Sequence, residues 1–232
     1  MQIKLGVLVF LLLTSFADAK VIKLSTIPIP LLVEDSEKGL FIHLTKEIAR
    51  RNNYELNIIV EQPGKALLMY SNGQVDGFFP ALDDSGIKIS TKTVPFYYKT
   101  NYIFYRKGHS LKTIKDLEGK KVGLTFRYTY LRQLVDNRRI KFEYAENDII
   151  NMKKLAQGVI EAFVVEERSG LKALELSGVR NIEYDKSKPL GKPAVFYAFQ
   201  DTAEGYQLAK TFSKTIEEMR KDGTLNRILK EK

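Results

Sequence analysis

A short pattern that occurs twice, in residues 72–79 and 157–164, constrains the fold of this chain more than any other feature. Each copy follows a stretch with apolar residues at helical spacing. Each contains a glycine where a helix would end, then an acidic residue and an apolar run. A glycine at this position followed by an apolar run predicts a helix that leads into a buried strand. Two copies 85 positions apart predict two α/β lobes of similar architecture with a ligand cleft between them.

Residues 1–19 are predicted to be a cleaved export signal and not part of the fold. Lys4 precedes an apolar run over residues 5–13, and Ala17-Asp18-Ala19 fits the small-residue cleavage pattern. The apolar run is too short to span a bilayer comfortably, so an uncleaved anchor is the less favoured alternative. The sequence has no cysteine, which excludes a lipoprotein anchor, a disulfide bond and a thiol nucleophile. We therefore expect a free protein of the bacterial periplasm.

Composition also limits the partners and the chemistry. The net charge is +9, but both signs are interspersed and no nucleic-acid-binding motif accompanies the basic residues, so no nucleic-acid partner is expected. His43 and His109 are the only histidines, which argues against a histidine metal site or a catalytic triad. We expect neither a metal nor a cofactor.

Predicted strands and helices alternate along the whole chain, which indicates α/β lobes. No connection is long or rich in proline, glycine and serine, so a hinge is expected between the lobes instead of a flexible linker. Crossovers near Phe104 and Tyr197 divide the chain into a first lobe, made of residues 20–103 and 197–232, and a second lobe, made of residues 104–196.

Further phrases add a specific resemblance. Residues 39–44 read Gly-Leu-Phe-Ile-His-Leu, and residues 94–98 read Val-Pro-Phe-Tyr-Tyr. Residues 114–123 read Ile-Lys-Asp-Leu-Glu-Gly-Lys-Lys-Val-Gly, and residues 221–224 read Lys-Asp-Gly-Thr. Together with residues 72–77, these phrases resemble, in the same order, those of the bacterial extracellular solute-binding proteins of family 3, the type that binds polar amino acids. The phrase at 114–123 is the most specific match.

The resemblance implies two Rossmann-like lobes joined by a two-strand hinge, which is the type II fold of periplasmic binding proteins. It also implies that a small solute binds between the lobes and that the lobes close over it. Members of this family usually deliver the solute to an ABC permease of the inner membrane. Some members serve a sensor kinase instead, and a few are enzymes.

The segment after the first repeated phrase departs from the family pattern. The family carries Thr-x-x-Arg here, and the arginine binds the α-carboxylate of an amino acid. Counting from Asp76 places Ser85 and Lys88 at these positions, whereas counting back from Pro95 places Gly86 at the arginine position. The arginine is therefore absent. Lys88 would replace it only as a point charge, and the alternative that Lys88 is a solvated loop lysine stays open.

The ends of two strands in the second lobe supply the other candidates. Arg127 stands where the family usually has glycine, in a turn that holds an anion at a helix N-terminus, with Thr129 as a further donor. Tyr128 would stack on a ligand or only pack. Glu166 aligns with the family's aspartate that holds a ligand ammonium group. The alternative for both Arg127 and Glu166 is an exposed charge on the surface, which is the usual place of these residue types. The candidate ligand contacts are Asp83, Ser85, Lys88, Arg127, Tyr128, Thr129 and Glu166.

The favoured function is a monomeric, non-enzymatic periplasmic protein that captures a small polar or anionic, amino-acid-like solute for an ABC importer. One alternative is a ligand-sensing protein that docks on a membrane receptor. Another is an enzyme on the same fold, such as a cyclohexadienyl dehydratase, with Glu166 or Glu167 as general acid. No catalytic residue is expected, because no close acid–base pair with a distinct signature is visible.

Overall fold

The computed structural model of the protein describes residues 20–83, 88–126 and 128–230. The predicted export signal, residues 1–19, lies outside the described residues. The strands are β1 (Lys20–Thr26), β2 (Tyr54–Val60), β3 (Gly77–Ala81), β4 (Thr91–Lys92), β5 (Tyr97–Tyr98), β6 (Asn101–Arg106), β7 (Lys121–Thr125), β8 (Lys141–Ala145), β9 (Ala162–Glu166), β10 (Ile182–Tyr184) and β11 (Ala194–Phe199). The α-helices are α1 (Leu40–Arg51), α2 (Pro63–Ser71), α3 (Arg132–Val135), α4 (Asp148–Ala156), α5 (Glu167–Ser177), α6 (Ala203–Lys221) and α7 (Thr224–Lys230), and one 3₁₀ helix spans Ile114–Leu117.

Two separate sheets define two lobes. The first sheet has the order β2-β1-β3-β11-β4, with β5 also paired to β11. Its β1 pairs are parallel and its β11 pairs antiparallel. The second sheet has the order β10-β6-β9-β7-β8, with β7 parallel to both of its neighbours and β6 antiparallel to both of its own. The prediction of an α/β fold with two lobes is confirmed.

The chain passes between the lobes twice, and the two connections lie side by side. The backbone N–H of Lys99 donates to the carbonyl of Pro193 (3.0 Å), and the N–H of Asn101 donates to the carbonyl of Gly191 (3.1 Å). These bonds continue the antiparallel pairing of β5 with β11 into the region between the sheets. The result is a two-strand hinge.

Sheet membership places both crossings a few residues before the predicted ones. The first crossing lies at residues 99–100 and the second within residues 185–193, between strands of different sheets. The crossovers predicted near Phe104 and Tyr197 fall inside β6 and β11, each of which belongs to one sheet over its whole length. Strand-forming composition marks a strand but does not indicate the sheet that it joins.

Each lobe has its own hydrophobic core on both faces of its sheet. In the first lobe, α1, α6 and α7 bury residues such as Phe41 and Phe212 against one face, and α2 packs around Ala66 on the other. In the second lobe, the two clusters are built around residues such as Leu124 and Phe163. Among the described residues, no cluster draws members from both lobes. The boundary between the lobes is therefore available for a cleft.

The repeated phrase ends a helix in the same way in both lobes. Two residues after the last residue of α2 and of α4, Gly73 (φ 68°) and Gly158 (φ 77°) adopt the left-handed conformation. Glycine adopts this conformation without the steric cost that a side chain brings, and it therefore stops a helix cleanly. The helix ends predicted from the repeat are confirmed.

The acidic residue of each copy accepts a hydrogen bond from the backbone of a β-strand in its own lobe, β1 in the first lobe and β7 in the second. The carboxylate of Asp76 accepts a hydrogen bond from the backbone N–H of Lys23 (2.7 Å). The carboxylate of Glu161 accepts one from the backbone N–H of Lys121 (3.0 Å) in the same manner. Both acids therefore have a structural role, because each ties the turn of its repeated phrase to a strand.

The C-terminal region closes onto the first lobe. The helical pattern over residues 203–230 predicts an interruption at Asp222-Gly223, and α6 and α7 meet there. The guanidinium of Arg51, in the last turn of α1, donates to the Asp222 carboxylate (2.7 Å) and to the Thr224 hydroxyl (3.1 Å). Backbone and guanidinium donors lower the pKa of Asp222 to about 2.

Candidate functional site

A cavity of about 570 Å³ lies between the two lobes and beside the hinge; we call it the inter-lobe cavity. A volume of this size is typical of small-molecule sites. Its described lining comes from both lobes and from the hinge. The lining residues are Ile27, Ile29, Leu32, Phe41, Gln62, Pro63, Gly64, Lys65, Leu67, Phe78, Pro80, Leu82, Tyr97 and Val195 from the first lobe, Lys99 from the hinge, and Tyr128, Thr129, Glu166 and Ser169 from the second lobe.

The first lobe forms an apolar wall, which we define by Ile27, Ile29, Leu67 and Leu82. Ile27 directly follows β1, Leu82 directly follows β3, and Leu67 lies on α2. All four side chains are half-buried and rest on the two cores of the first lobe. Strand ends and helix starts meet at this edge of an α/β sheet, which is where ligands usually bind.

Lys99 provides a cation at the hinge. Its ammonium donates to the backbone carbonyl of Thr129 (2.8 Å) and lies 5.7 Å from the ring centre of Tyr128 and 5.3 Å from that of Tyr130. Burial lowers the pKa of Lys99 to about 8, although the charge of Glu166 opposes this shift. At neutral pH the ammonium is therefore still mostly protonated. It has no second hydrogen-bond acceptor among the described residues, so it retains donors for an anion.

Glu166 provides the matching anion. It is 5% exposed and ends β9, where it also caps α5 by accepting the backbone N–H of Ser169 (2.9 Å). Its other oxygen accepts the hydroxyl of Tyr97 (2.7 Å), which belongs to the first lobe. Each carboxylate oxygen can accept a second hydrogen bond. A ligand ammonium can therefore bind here without displacing either partner.

A second buried acid lies near this pair. Asp148, the first residue of α4, is 4% exposed and accepts the hydroxyl of Thr125 on one oxygen. Its other oxygen has no hydrogen-bond partner among the described residues. Burial raises the pKa of Asp148, and the charge of Lys99 opposes the rise. Asp148 faces a side cavity of about 520 Å³, which shares four lining residues with the inter-lobe cavity: Gln62, Pro63, Tyr128 and Ser169.

The structure brings three of the seven candidate contacts together. Tyr128, Thr129 and Glu166 line the inter-lobe cavity. Burial, together with the charges of Asp148 and Glu166, raises the pKa of Tyr128, so its hydroxyl stays protonated.

The other four candidates divide into two groups. Asp83 and Lys88 are exposed and are not among the residues that line the cavity, and Asp83 pairs with Lys92. Asp83 directly follows Leu82 and is already exposed to solvent. Ser85 and Arg127, together with Gly86, lie outside the described residues.

Sequence reasoning missed Lys99 and the apolar wall. Lys99 follows two tyrosines and looks like a surface lysine; only the hinge places it in the cavity. A crossover predicted at residue 99 instead of residue 104 would have identified it. The Ile27-Pro28-Ile29-Pro30 segment follows β1, and its two isoleucines line the cavity.

The described residues offer little support for other kinds of site. Within residues 20–83, 88–126 and 128–230, no group of three or more histidine, cysteine, aspartate or glutamate side chains is arranged to hold a metal ion. Within the same residues, no helix combines the length and the apolar character that crossing a membrane requires.

Comparisons with known proteins agree with this architecture. A family model described as NMT1/THI5 like matches residues 81–212, which is more than half of the chain. A Vibrio harveyi protein provisionally named amino-acid ABC transporter-binding protein PatH is 22% identical over 212 residues, a match that covers 87% of this chain and 82% of that protein.

Solved structures share the fold. An ancestral arginine-binding protein bound to arginine superposes with a TM-score of 0.70 at 20% identity, covering 90% of this chain and 96% of the other. A histidine kinase sensor domain with similarity to periplasmic binding proteins superposes with a TM-score of 0.73 at 19% identity, covering 90% and 94%. The predicted type II fold of periplasmic binding proteins is confirmed.

Proposed function

We propose that this chain, which belongs to the NMT1/THI5-like family, is a solute-binding protein that captures a small amino-acid-like molecule between its two lobes. The observation that carries the proposal is the inter-lobe cavity, which has Lys99 and Glu166 on its polar side. A cation and an anion close to each other match the carboxylate and the ammonium group of one zwitterion. This arrangement supports the amino-acid-like solute inferred from the sequence.

Lys99 takes the place of the arginine that the sequence lacks. Its N–H donors bind the solute carboxylate from the hinge, and the tyrosine rings beside it limit competition from water. A lysine binds a carboxylate as a point charge and not as a planar fork. Lys99 therefore tolerates more variation in the orientation of the carboxylate than an arginine would.

Glu166 binds the ammonium group and links solute binding to lobe closure. Tyr97, from the opposite lobe, donates its hydroxyl to Glu166. A solute bound to Glu166 therefore contacts a carboxylate that is already hydrogen-bonded to both lobes. Rotation about the two hinge strands then brings the apolar wall onto the solute. Hinge closure of this kind is common among two-lobed binding proteins.

Delivery to an ABC importer of the inner membrane is the favoured role. The likeness to the Vibrio harveyi protein supports it, since that protein is named as an amino-acid ABC transporter-binding protein. We further propose that the chain works as a monomer in the periplasm after removal of residues 1–19, on the sequence pattern of that segment.

Sensing is the second candidate, and the likeness to a histidine kinase sensor domain favours it. In that role the closed form would dock on a membrane receptor instead of a permease. Vesicles that contain the candidate permease distinguish the two roles: solute uptake that depends on this protein supports transport, and its absence supports sensing.

An enzyme of the cyclohexadienyl-dehydratase type remains an alternative in which Glu166 donates a proton beside Lys99. Incubation of the purified protein with prephenate tests it directly. Formation of the dehydrated, decarboxylated product would replace the binding proposal, and unchanged prephenate would leave solute capture in place.

Isothermal titration of the proposed site uses two matched pairs of variants. Lys99→Met and Glu166→Gln each remove a charge from the cavity, whereas Lys88→Met and Glu167→Gln remove the same charges outside its lining. We expect at least a tenfold loss of amino-acid affinity for the first pair, because hydrogen bonds to charged groups contribute about 1.5–3 kcal/mol. If Lys99→Met bound as tightly as Lys88→Met, and Glu166→Gln as tightly as Glu167→Gln, the proposed site would be refuted.

A further inference from the structure

We propose that the solute carries a bulky apolar side chain, which packs against the apolar wall of the first lobe. The inference rests on the proposed function and names the class of solute: an α-amino acid with an aliphatic or aromatic side chain. Lys99 and Glu166 bind its charged groups from the hinge and the second lobe, and the side chain points away from them.

The inter-lobe cavity is chemically asymmetric. Its four polar groups from the second lobe are Tyr128, Thr129, Glu166 and Ser169, whereas the described lining from the first lobe is almost entirely apolar. A zwitterion needs polar partners on one side only. The opposite side is then free to select for the rest of the molecule, and the side chains of the apolar wall there are hydrocarbon.

The first lobe has three polar residues in its described lining. The hydroxyl of Tyr97 is already donated to Glu166, and the other two lie at the rim. Gln62 and Lys65 are both exposed, and the Lys65 ammonium pairs with Glu61 (2.5 Å). Neither lies within the apolar wall. Among the described residues of the first lobe, the wall therefore offers no side-chain partner to a polar substituent, which would lose its hydrogen bonds to water on closure.

Selectivity follows from this arrangement. Each methylene group removed from water against the wall should strengthen binding about fourfold. An amide, guanidinium or carboxylate at the same place should weaken binding relative to an apolar group of the same length, because it is buried without a partner.

Helix α2 provides a matched pair of variants. Leu67 faces the cavity, and Leu68, the next residue, is 57% exposed on the outer face. Leu67→Gln and Leu68→Gln make the same chemical change on the same helix. Ile27→Thr keeps the branched shape of its side chain and serves as a second wall variant if Leu67→Gln does not fold.

The test is isothermal titration with alanine, 2-aminobutyrate, norvaline and norleucine, alongside leucine, phenylalanine, glutamine, arginine and glutamate. We expect affinity to rise about fourfold per methylene in the straight-chain series. We also expect at least a tenfold loss for leucine in the folded wall variant, little change for alanine, and no change in Leu68→Gln.

The outcomes separate this inference from the function on which it rests. Tighter binding of glutamine, arginine or glutamate than of norleucine, with Lys99 and Glu166 still required, would overturn the apolar class and keep the proposed function. An unchanged leucine affinity in the wall variants would also overturn it. Absence of binding by every amino acid would refute both.

Discussion

Tyr97 of the first lobe donates its hydroxyl to the carboxylate of Glu166 in the second lobe, over a distance of 2.7 Å. This bond joins the lobes at the edge of the inter-lobe cavity, and the Tyr97 ring also lies 5.7 Å from the guanidinium of Arg168. Burial, together with the nearby charge of Glu166, raises the pKa of Tyr97. The hydroxyl therefore stays protonated at neutral pH and remains a hydrogen-bond donor.

Tyr97→Phe should lower the free energy of unfolding by about 1–2 kcal/mol, because it removes one donor from a buried carboxylate. Urea denaturation of the full chain measures the change. Tyr98→Phe is the matched control, since Tyr98 is 54% exposed. Equal stabilities of the two variants would show that the bond between the lobes contributes nothing.

The affinity for a carboxylate solute should fall as the pH rises through about 8. Only protonated Lys99 attracts an anion, and the free protein loses that proton near the lowered pKa of about 8. At pH 9 the affinity should be roughly tenfold below its value at pH 7. Titration with 4-methylpentanoate, which is leucine without its amine, avoids ionisation of the ligand in this range.

The Lys99→Met variant is the control for this pH dependence. It should bind the same carboxylate weakly and with equal affinity at pH 7 and pH 9. If Lys99→Met kept the pH dependence of the wild-type protein, that dependence would have to come from another titratable group.

Asp148→Asn should stabilise the protein more at pH 7 than at pH 4. Burial raises the pKa of Asp148 above its ordinary value of 3.8, so folding favours the protonated form. The cost of ionising the buried group is absent below pH 3.8 and complete above the raised pKa, and an asparagine does not incur it. Urea denaturation at the two pH values gives the comparison, with the exposed Glu146→Gln as control. An equal effect at both pH values would contradict the expectation.

Asp76→Ala and Glu161→Ala should destabilise the protein to a similar extent, by about 1–2 kcal/mol each. Each variant removes a charged acceptor from a backbone N–H at equivalent places in the two lobes. Thermal unfolding of the full chain measures both losses. A large loss for one variant and none for the other would show that the repeated phrase has different structural roles in the two lobes.

The fold was largely predictable because its signals are local. The helix ends at Gly73 and Gly158 and the interruption at Asp222 each depend on a few neighbouring residues. The crossings between the lobes were displaced in the prediction, because residues 99–100 connect two strands of different sheets without any break in composition.

The candidate site was harder to predict, since its chemistry depends on which residues of the two lobes face each other. Glu166 could be predicted from its place at the end of a buried strand. Predicting Lys99 would have required the path of the hinge. Predicting Asp148 would have required knowing that the start of α4 lies at the side cavity next to the cleft. The candidates at residues 83–88 came from alignment to a family pattern from which this sequence departs, and Ser85 lies outside the described residues.

The position of β11 in the first sheet has a consequence for synthesis. This strand lies between β3 and β4, yet more than a hundred residues separate it from either of them in sequence. The second lobe, by contrast, is built from one continuous segment. As the polypeptide emerges from the N-terminus onward, the inserted lobe is the first unit whose strands are all available, and the surrounding lobe must wait for its central strand.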